Sequence, residues 1–326
     1  MMIDQPDCFG FAYDAQGVPR ALEDVQGAVA GVPEAGFVWV HARMGTDAGD
    51  AVLAAGGFDG LVLAALRAPE TRPRCSSHAD GSLMNLRGVN LNPGAEPEDM
   101  VSLRMWVRER VLVTVLMRPL QAVSDLRAAA GRGAVASGPA ELVARLALRL
   151  ADRAEPVVAA LNERIDALEE TDLSELGVAQ RSELADLRRS AIVMRRYMVP
   201  QRDALSTFEI EDHGWMDSVT QSRIREATER VTRLGEELDA IRDRAQIVRD
   251  HLSDARAERM NDQMFVLSIV SALFLPLGFI TGLLGINVGG VPGVENAWAF
   301  WIVCGLMLVI GAVQWLIFRR MGMFGR

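Results

Sequence analysis

Two long stretches near the C-terminus, residues 265–284 and 297–318, contain no Asp, Glu, Lys, Arg or His. A helix of about 20 residues crosses the roughly 30 Å hydrocarbon core of a bilayer, where every backbone polar group must find its partner within protein. Both stretches are therefore expected to span a membrane as helices. Residues 285–296 then form the loop between them and residues 319–326 a short tail.

What precedes the spans is large enough to bury a core of its own. The chain carries a formal charge of -9; Asp262 and Glu295 against Arg319, Arg320 and Arg326 leave -10 on the first 260 residues. That balance argues against a nucleic-acid partner. The opening MMIDQPDCFG has neither the positive region nor the apolar run of a secretory signal, so the leading portion is expected to stay in the cytosol. Arg256, Arg259, Arg319 and Arg320 flank the spans while the loop has no basic residue, the asymmetry of a protein with both termini inside. Cys8, Cys75 and Cys304 stand apart, without the spacing of a zinc knuckle or a disulfide framework.

In the first third, apolar runs alternate with turn residues. Strands are expected at 9–13, 37–41, 83–89, 101–107 and 111–116, and helices at 51–66 and 120–130. This pattern describes an α/β domain over residues 1–139 with a mixed sheet, closed by a Gly-rich linker at 131–138. Residues 140–216 read as a helical hairpin region, with Pro156 and Pro200 expected to bend or break its helices. From 217 to 264 a long helix carries Ile224, Ala227, Val231, Leu234, Leu238, Ile241, Ala245, Val248, Leu252 and Ala255 in steps of three and four. Such a seam packs either against helices of the same subunit or around an axis shared by several. If the helix continues to residue 284, it extends for about 100 Å.

A second stripe runs along the first span: Met264, Ser268, Ser271, Leu275, Gly278, Gly282 and Gly285, which Asn261 extends by one turn. Small and hydroxyl residues on a membrane helix either allow close helix contact or line a wet path. At the end of the span, the amide of Asn287 can offer its oxygen to a cation, or can simply cap a helix between Gly285 and Gly289. Two helices cannot wall an aqueous path alone, so transport requires several copies around an axis. In such a ring Glu295, the one acid of the loop, would be repeated and would concentrate divalent cations; singly it is a solvated side chain. Glu209, Glu211, Asp212, His213 and Asp217 mix carboxylates with one of four histidines. They read either as a cytosolic metal site or as acids gathered at a helix start. His41, beside Trp39 in an expected strand, reads as a hydrogen-bonded structural histidine.

Gly285-Ile286-Asn287 at the end of the first of two C-terminal spans resembles the Gly-x-Asn signature of the CorA superfamily of divalent-cation transporters. The surrounding FLPLGFITGLLGINVGGVPG looks like the zinc-transporting ZntB branch, whose middle residue is aliphatic, and LRGVNLNPGAEPEDMVSLR at 86–104 is similar to the same branch. The resemblance implies a homopentameric funnel in the bacterial inner membrane: a cytosolic α/β domain, a long stalk helix continuing into the pore-lining span, and an outer second span. It places the stripe from Asn261 to Gly282 on the central axis, with Asn287 in the ring that meets the incoming ion. It implies a transported ion and no tightly bound cofactor: zinc first, with magnesium, cobalt or nickel as alternatives. A non-conducting, membrane-anchored metal sensor is the reading from another class, and no nucleophile, phosphate loop or metal triad marks an enzyme.

Overall fold

The computed structural model describes residues 5–31, 33–69, 71–171, 178–211, 213–286, 288, 293 and 295–321. The chain forms two compact units, Met1–Arg249 and Asp250–Arg326. In the first, strands β1 (Cys8–Tyr13), β2 (Pro19–Ala21), β3 (Phe37–Arg43), β4 (Arg74–His78), β5 (Gly81–Gly88), β6 (Val101–Arg108) and β7 (Val111–Leu116) make one sheet in the order β2-β1-β3-β7-β6-β5-β4. The central β3–β7 pair is parallel and its neighbours are antiparallel, giving the mixed sheet expected.

Strand alternation divides the core. Val38, Val40 and Ala42 of β3 and Val111, Val113 and Val115 of β7 turn to one face. There they pack on Val29, Val52, Leu53, Val62 and Leu66 from helices α1 (Val25–Ala30), α2 (Asp47–Ala55) and α3 (Gly60–Leu66). The intervening Trp39, His41 and Thr114 belong to the opposite face, and every residue of β7 is buried. Helices α4 (Gln121–Gly131), α5 (Pro139–Glu170) and α6 (Val178–Ile210) follow. α6 packs on β4 and β5, and α5 on β3, β5 and β6.

Several expectations are corrected. The helix expected over 51–66 is two helices, divided where Gly57 takes a φ of +59°, a conformation that ends α-helical geometry. Pro156 and Pro200 break nothing; each lies inside a continuous helix. A proline leaves one carbonyl of the preceding turn without its N–H, and where that turn meets water the solvent replaces the donor. The short elements β2, β4 and α1 were not anticipated; β4 has no buried residue and β2 only a half-buried one, so neither has an apolar run to announce it.

Helix α7 (Ser218–Leu284) is a single helix of 67 residues that enters both units. Asp217 caps it, its carboxylate accepting from the Thr220 N–H at 2.6 Å. Within the first unit the seam from Ile224 to Val248 is buried, so it packs inside one subunit and not around a shared axis. Arginines on its flanks fasten it to α5: Arg230 to Asp152 and Glu155 at 2.6 and 2.9 Å, and Arg244 to Asp166 at 2.5 Å and to Glu169. Arg195 of α6 reaches Asp239 from the other side.

In the second unit, α7 and α8 (Ala299–Arg320) each contain an 18-residue window of mean hydropathy 2.2, none of it buried. Phe265, Phe274, Leu275, Phe279, Phe300, Trp301 and Leu308 are among the exposed side chains. Water does not tolerate so much contiguous apolar surface, whereas lipid does. Trp298 and Trp301 mark one end of α8 and Trp315 the other, where the Arg319 guanidinium lies 5.3 Å from its ring centroid. Aromatic and basic residues in these places suit the two headgroup layers.

Candidate ion pathway

Asn261, Met264, Ser268, Ser271, Leu275, Gly278 and Gly282 all lie on α7, and all are exposed in the single chain. Their spacing by three and four residues sets them on one side of the helix. A Cβ added at Gly278 or Gly282 would meet nothing within 4 Å. Among the described residues, contact with α8 therefore does not require Gly278 or Gly282 to be small.

The hydroxyls have defined directions. Ser268 Oγ donates to the Met264 carbonyl at 2.8 Å, and Thr281 Oγ1 to the Gly278 carbonyl at 3.1 Å. A hydroxyl that has spent its proton on its own helix presents only lone pairs outward. Such an oxygen can accept from the water shell of a cation, whose hydrogens all point away from the ion. At the end of the span, the Gly285 N–H closes the last turn on the Thr281 carbonyl at 2.9 Å. A Cβ at Gly285 would stand 2.9 Å from that same oxygen, so the motif's first residue has a steric reason to be glycine. Ile286 is exposed beyond it, and Glu295 is exposed in a turn. Asn287 lies outside the described residues, as does Asp212.

The cytosolic acidic group is divided among separate tasks. Glu209 pairs with Arg225 at 2.7 Å and Asp217 caps α7. The bond from Thr220 holds the Asp217 carboxyl below the usual range. Glu211 and His213 stand 3.2 Å apart, and Ser82 donates to Glu211 at 3.1 Å. The His213 ring lies between Phe208 and Trp215, with centroids at 5.0 and 4.8 Å. Among the described residues no three His, Cys, Asp or Glu side chains converge as metal ligands. His41 is the structural histidine expected, buried against Thr114 and Gln5.

Two features escaped sequence reasoning. Arg104 is almost wholly buried and forks onto the carbonyls of Ala68 and Pro69 at 2.6 to 3.1 Å; burial lowers its pKa to about 10. With Arg87, which donates to the Thr71 and Met100 carbonyls, it explains much of the segment 86–104: these residues hold a loop. Asn92 ties that loop to Pro119, and the Arg87 N–H binds Gln201 of α6. The second feature is Gln314, an uncharged polar residue inside α8, visible in the sequence only as an amide among apolar neighbours.

These elements define a membrane protein with an α/β portion, a long helix and two apolar spans. The family model for "CorA-like Mg2+ transporter protein" matches residues 34–320. A curated relative, "Divalent cation transporter CmaX" of Pseudomonas aeruginosa, is 36% identical over 316 residues, covering 96% of this chain and 95% of that one. "Zinc transport protein ZntB" of Pectobacterium carotovorum is 34% identical over 257 residues, 78% of each chain. The solved full-length CmaX structure superposes with a TM-score of 0.80 at 35% identity, covering 97% of this chain and 98% of that one. The CorA magnesium transporter of Methanocaldococcus jannaschii also reaches 0.80, at 17% identity over 97% of this chain and 98% of that one, a likeness of fold alone. The chain belongs to the CorA-like family of divalent-cation transporters.

Proposed function

We propose that this chain takes up zinc through a pore built by five copies around the Asn261 to Gly282 stripe, in the bacterial inner membrane with both termini cytosolic. The observation that carries the reading is the stripe itself, an exposed line of small and hydroxyl positions on α7 whose Ser268 oxygen is left as an acceptor. Zinc stripped of water prefers nitrogen and sulfur ligands, and the spans gather none; Cys304 stands alone in α8. The ion therefore passes with part of its water shell, met by the Asn287 amide, backbone carbonyls and the Ser268 and Ser271 hydroxyls, and concentrated by a ring of Glu295. The Gly285-Ile286-Asn287 tripeptide forms the outer mouth. An inside-negative potential contributes about 2.3 kcal/mol per charge per 100 mV, hence about 4.6 for a divalent ion, which drives uptake.

Residues 1–139 and 140–216 then serve as the cytosolic body, 217–264 as the stalk, 265–284 and 297–318 as inner and outer spans, and 285–296 as the external loop. The relatives named as zinc transport proteins support zinc as the first choice. The oxygen-only donor set suits magnesium or cobalt as the second. The spans contain no carboxylate or histidine, so coupling of the ion to protons relies on other groups.

Uptake by the purified protein in liposomes with a negative interior tests the reading. Zinc enters in preference to cobalt, nickel and magnesium, and Asn287→Ala lowers the rate about tenfold through loss of a hydrogen bond to a charged cargo. Preference for magnesium selects the second reading. Absence of flux for all four metals leaves a metal sensor, for which Asn287→Ala would be silent.

A further inference from the structure

Pro276 lies inside α7, within its apolar span. Having no N–H, it cannot donate to the carbonyl four residues earlier, which is that of Ala272. In the first unit, Pro156 and Pro200 free the carbonyls of Asp152 and Arg196, both exposed residues at which water can replace the missing donor. In a bilayer interior no water is at hand, and an unpaired carbonyl is costly. The structure supplies a donor from the other span: Gln314 Nε2 of α8 donates to Ala272 O at 3.0 Å. Only the amide nitrogen can serve a carbonyl, so this contact fixes the orientation of the side chain. Gln314 Oε1 is left buried with no partner among the described residues, so packing alone does not account for an amide here.

We propose that Gln314 is a positioning residue for transport: its amide replaces the N–H that Pro276 lacks and ties the outer span to the pore-lining helix at Ala272. Ala272 directly follows Ser271 and precedes Leu275 by less than one turn, so the tie holds the backbone that presents the stripe. The same bond can break and re-form if α7 bends at Pro276, since it belongs to a side chain and not to the helix ladder. The transport arm of the test rests on the function proposed above; the stability arm does not.

The test is a double-mutant cycle on the full-length protein in detergent and in liposomes. Gln314→Met keeps the length of the side chain and removes the donor; Pro276→Ala restores the N–H that Ala272 O requires. The expected result is that Gln314→Met lowers the melting temperature by about 4 °C or more and metal flux about tenfold, but changes the melting temperature by about 1 °C or less and flux less than about twofold in the Pro276→Ala background. If Gln314→Met alone cannot be recovered from membranes, recovery of the double variant supports the proposal and failure to recover it overturns it. Equal losses in both backgrounds overturn it, as does a lower melting temperature with undiminished flux, which would make the bond structural only. A wild-type protein without flux would refute the transport reading while the melting cycle still reports on the bond.

Discussion

His41 Nδ1 stands 3.0 Å from Thr114 Oγ1, the residue directly opposite it in the parallel β3–β7 pair. Trp39 Nε1 donates to the same hydroxyl at 3.0 Å, and that hydroxyl donates to the Val40 carbonyl at 3.3 Å. The Gln5 amide nitrogen faces His41 Nε2 at 3.3 Å while its oxygen accepts from the Leu120 N–H. One tautomer satisfies every group: the proton is on Nδ1, and Nε2 accepts. Among the described residues no acceptor remains for a second ring proton.

That arrangement predicts a pH dependence. Burial, reinforced by Arg43 and Arg127, lowers the His41 pKa to about 3, against 6.5 for a free side chain. Below pH 6.5 the unfolded chain binds a proton that the folded one refuses, so stability is complete above that pH and falls as the pH drops toward 3. The slope from this one group approaches 1.4 kcal/mol per pH unit, an upper figure of about one proton. Denaturant titrations at pH 7 and pH 5 should differ accordingly, and His41→Gln should remove this component.

Arg104 offers a sharper measurement. Replacement by Met leaves the Ala68 and Pro69 carbonyls without their donor and should cost about 3 kcal/mol. Lysine keeps the charge but cannot fork across two carbonyls, so Arg104→Lys should recover only part of the loss. Midpoints of urea unfolding followed by tryptophan fluorescence would rank the three proteins.

The bridges between α5 and α7 should matter less. Arg244 meets Asp166 and Glu169 at partly exposed positions, and both raise its pKa. Exposed pairs of this kind contribute about 0.5–1 kcal/mol, reduced by salt. Arg244→Ala should therefore lower stability modestly at low ionic strength, and the difference should shrink at about 1 M salt.

Cysteine labelling separates the faces of the first span. In a protein free of Cys8, Cys75 and Cys304, Ser271→Cys should react with a small charged thiol reagent added from the aqueous phase, and the adduct should block metal flux. Val266→Cys, on the side of α7 away from the stripe, should remain unreactive. Equal reactivity at both positions would remove the stripe from the ion's path.

Much of the architecture could be read from neighbours in the chain. The two spans announce themselves because exclusion of charge over 20 residues is a local property. β1, β3, β5, β6 and β7 do so because each buries a stretch in which apolar residues predominate. β2 and β4, exposed at the sheet edges, offered no such run, and the division of α2 from α3 depended on one glycine conformation. The stripe on α7 was visible as spacing, but the open space beside Gly278 and Gly282 was not.

Hydrophobic pattern along the chain was thus sufficient for the spans, the α/β class and the helical seam, since water expels apolar runs wherever the rest of the chain lies. The assignments of Arg104 to Ala68, of Gln201 to the Arg87 N–H and of Gln314 to Ala272 required folding. Those partners stand 36, 114 and 42 residues apart. A hydrogen bond depends on direction and a distance near 3 Å, which no run of residue types encodes until the backbone has brought both ends together.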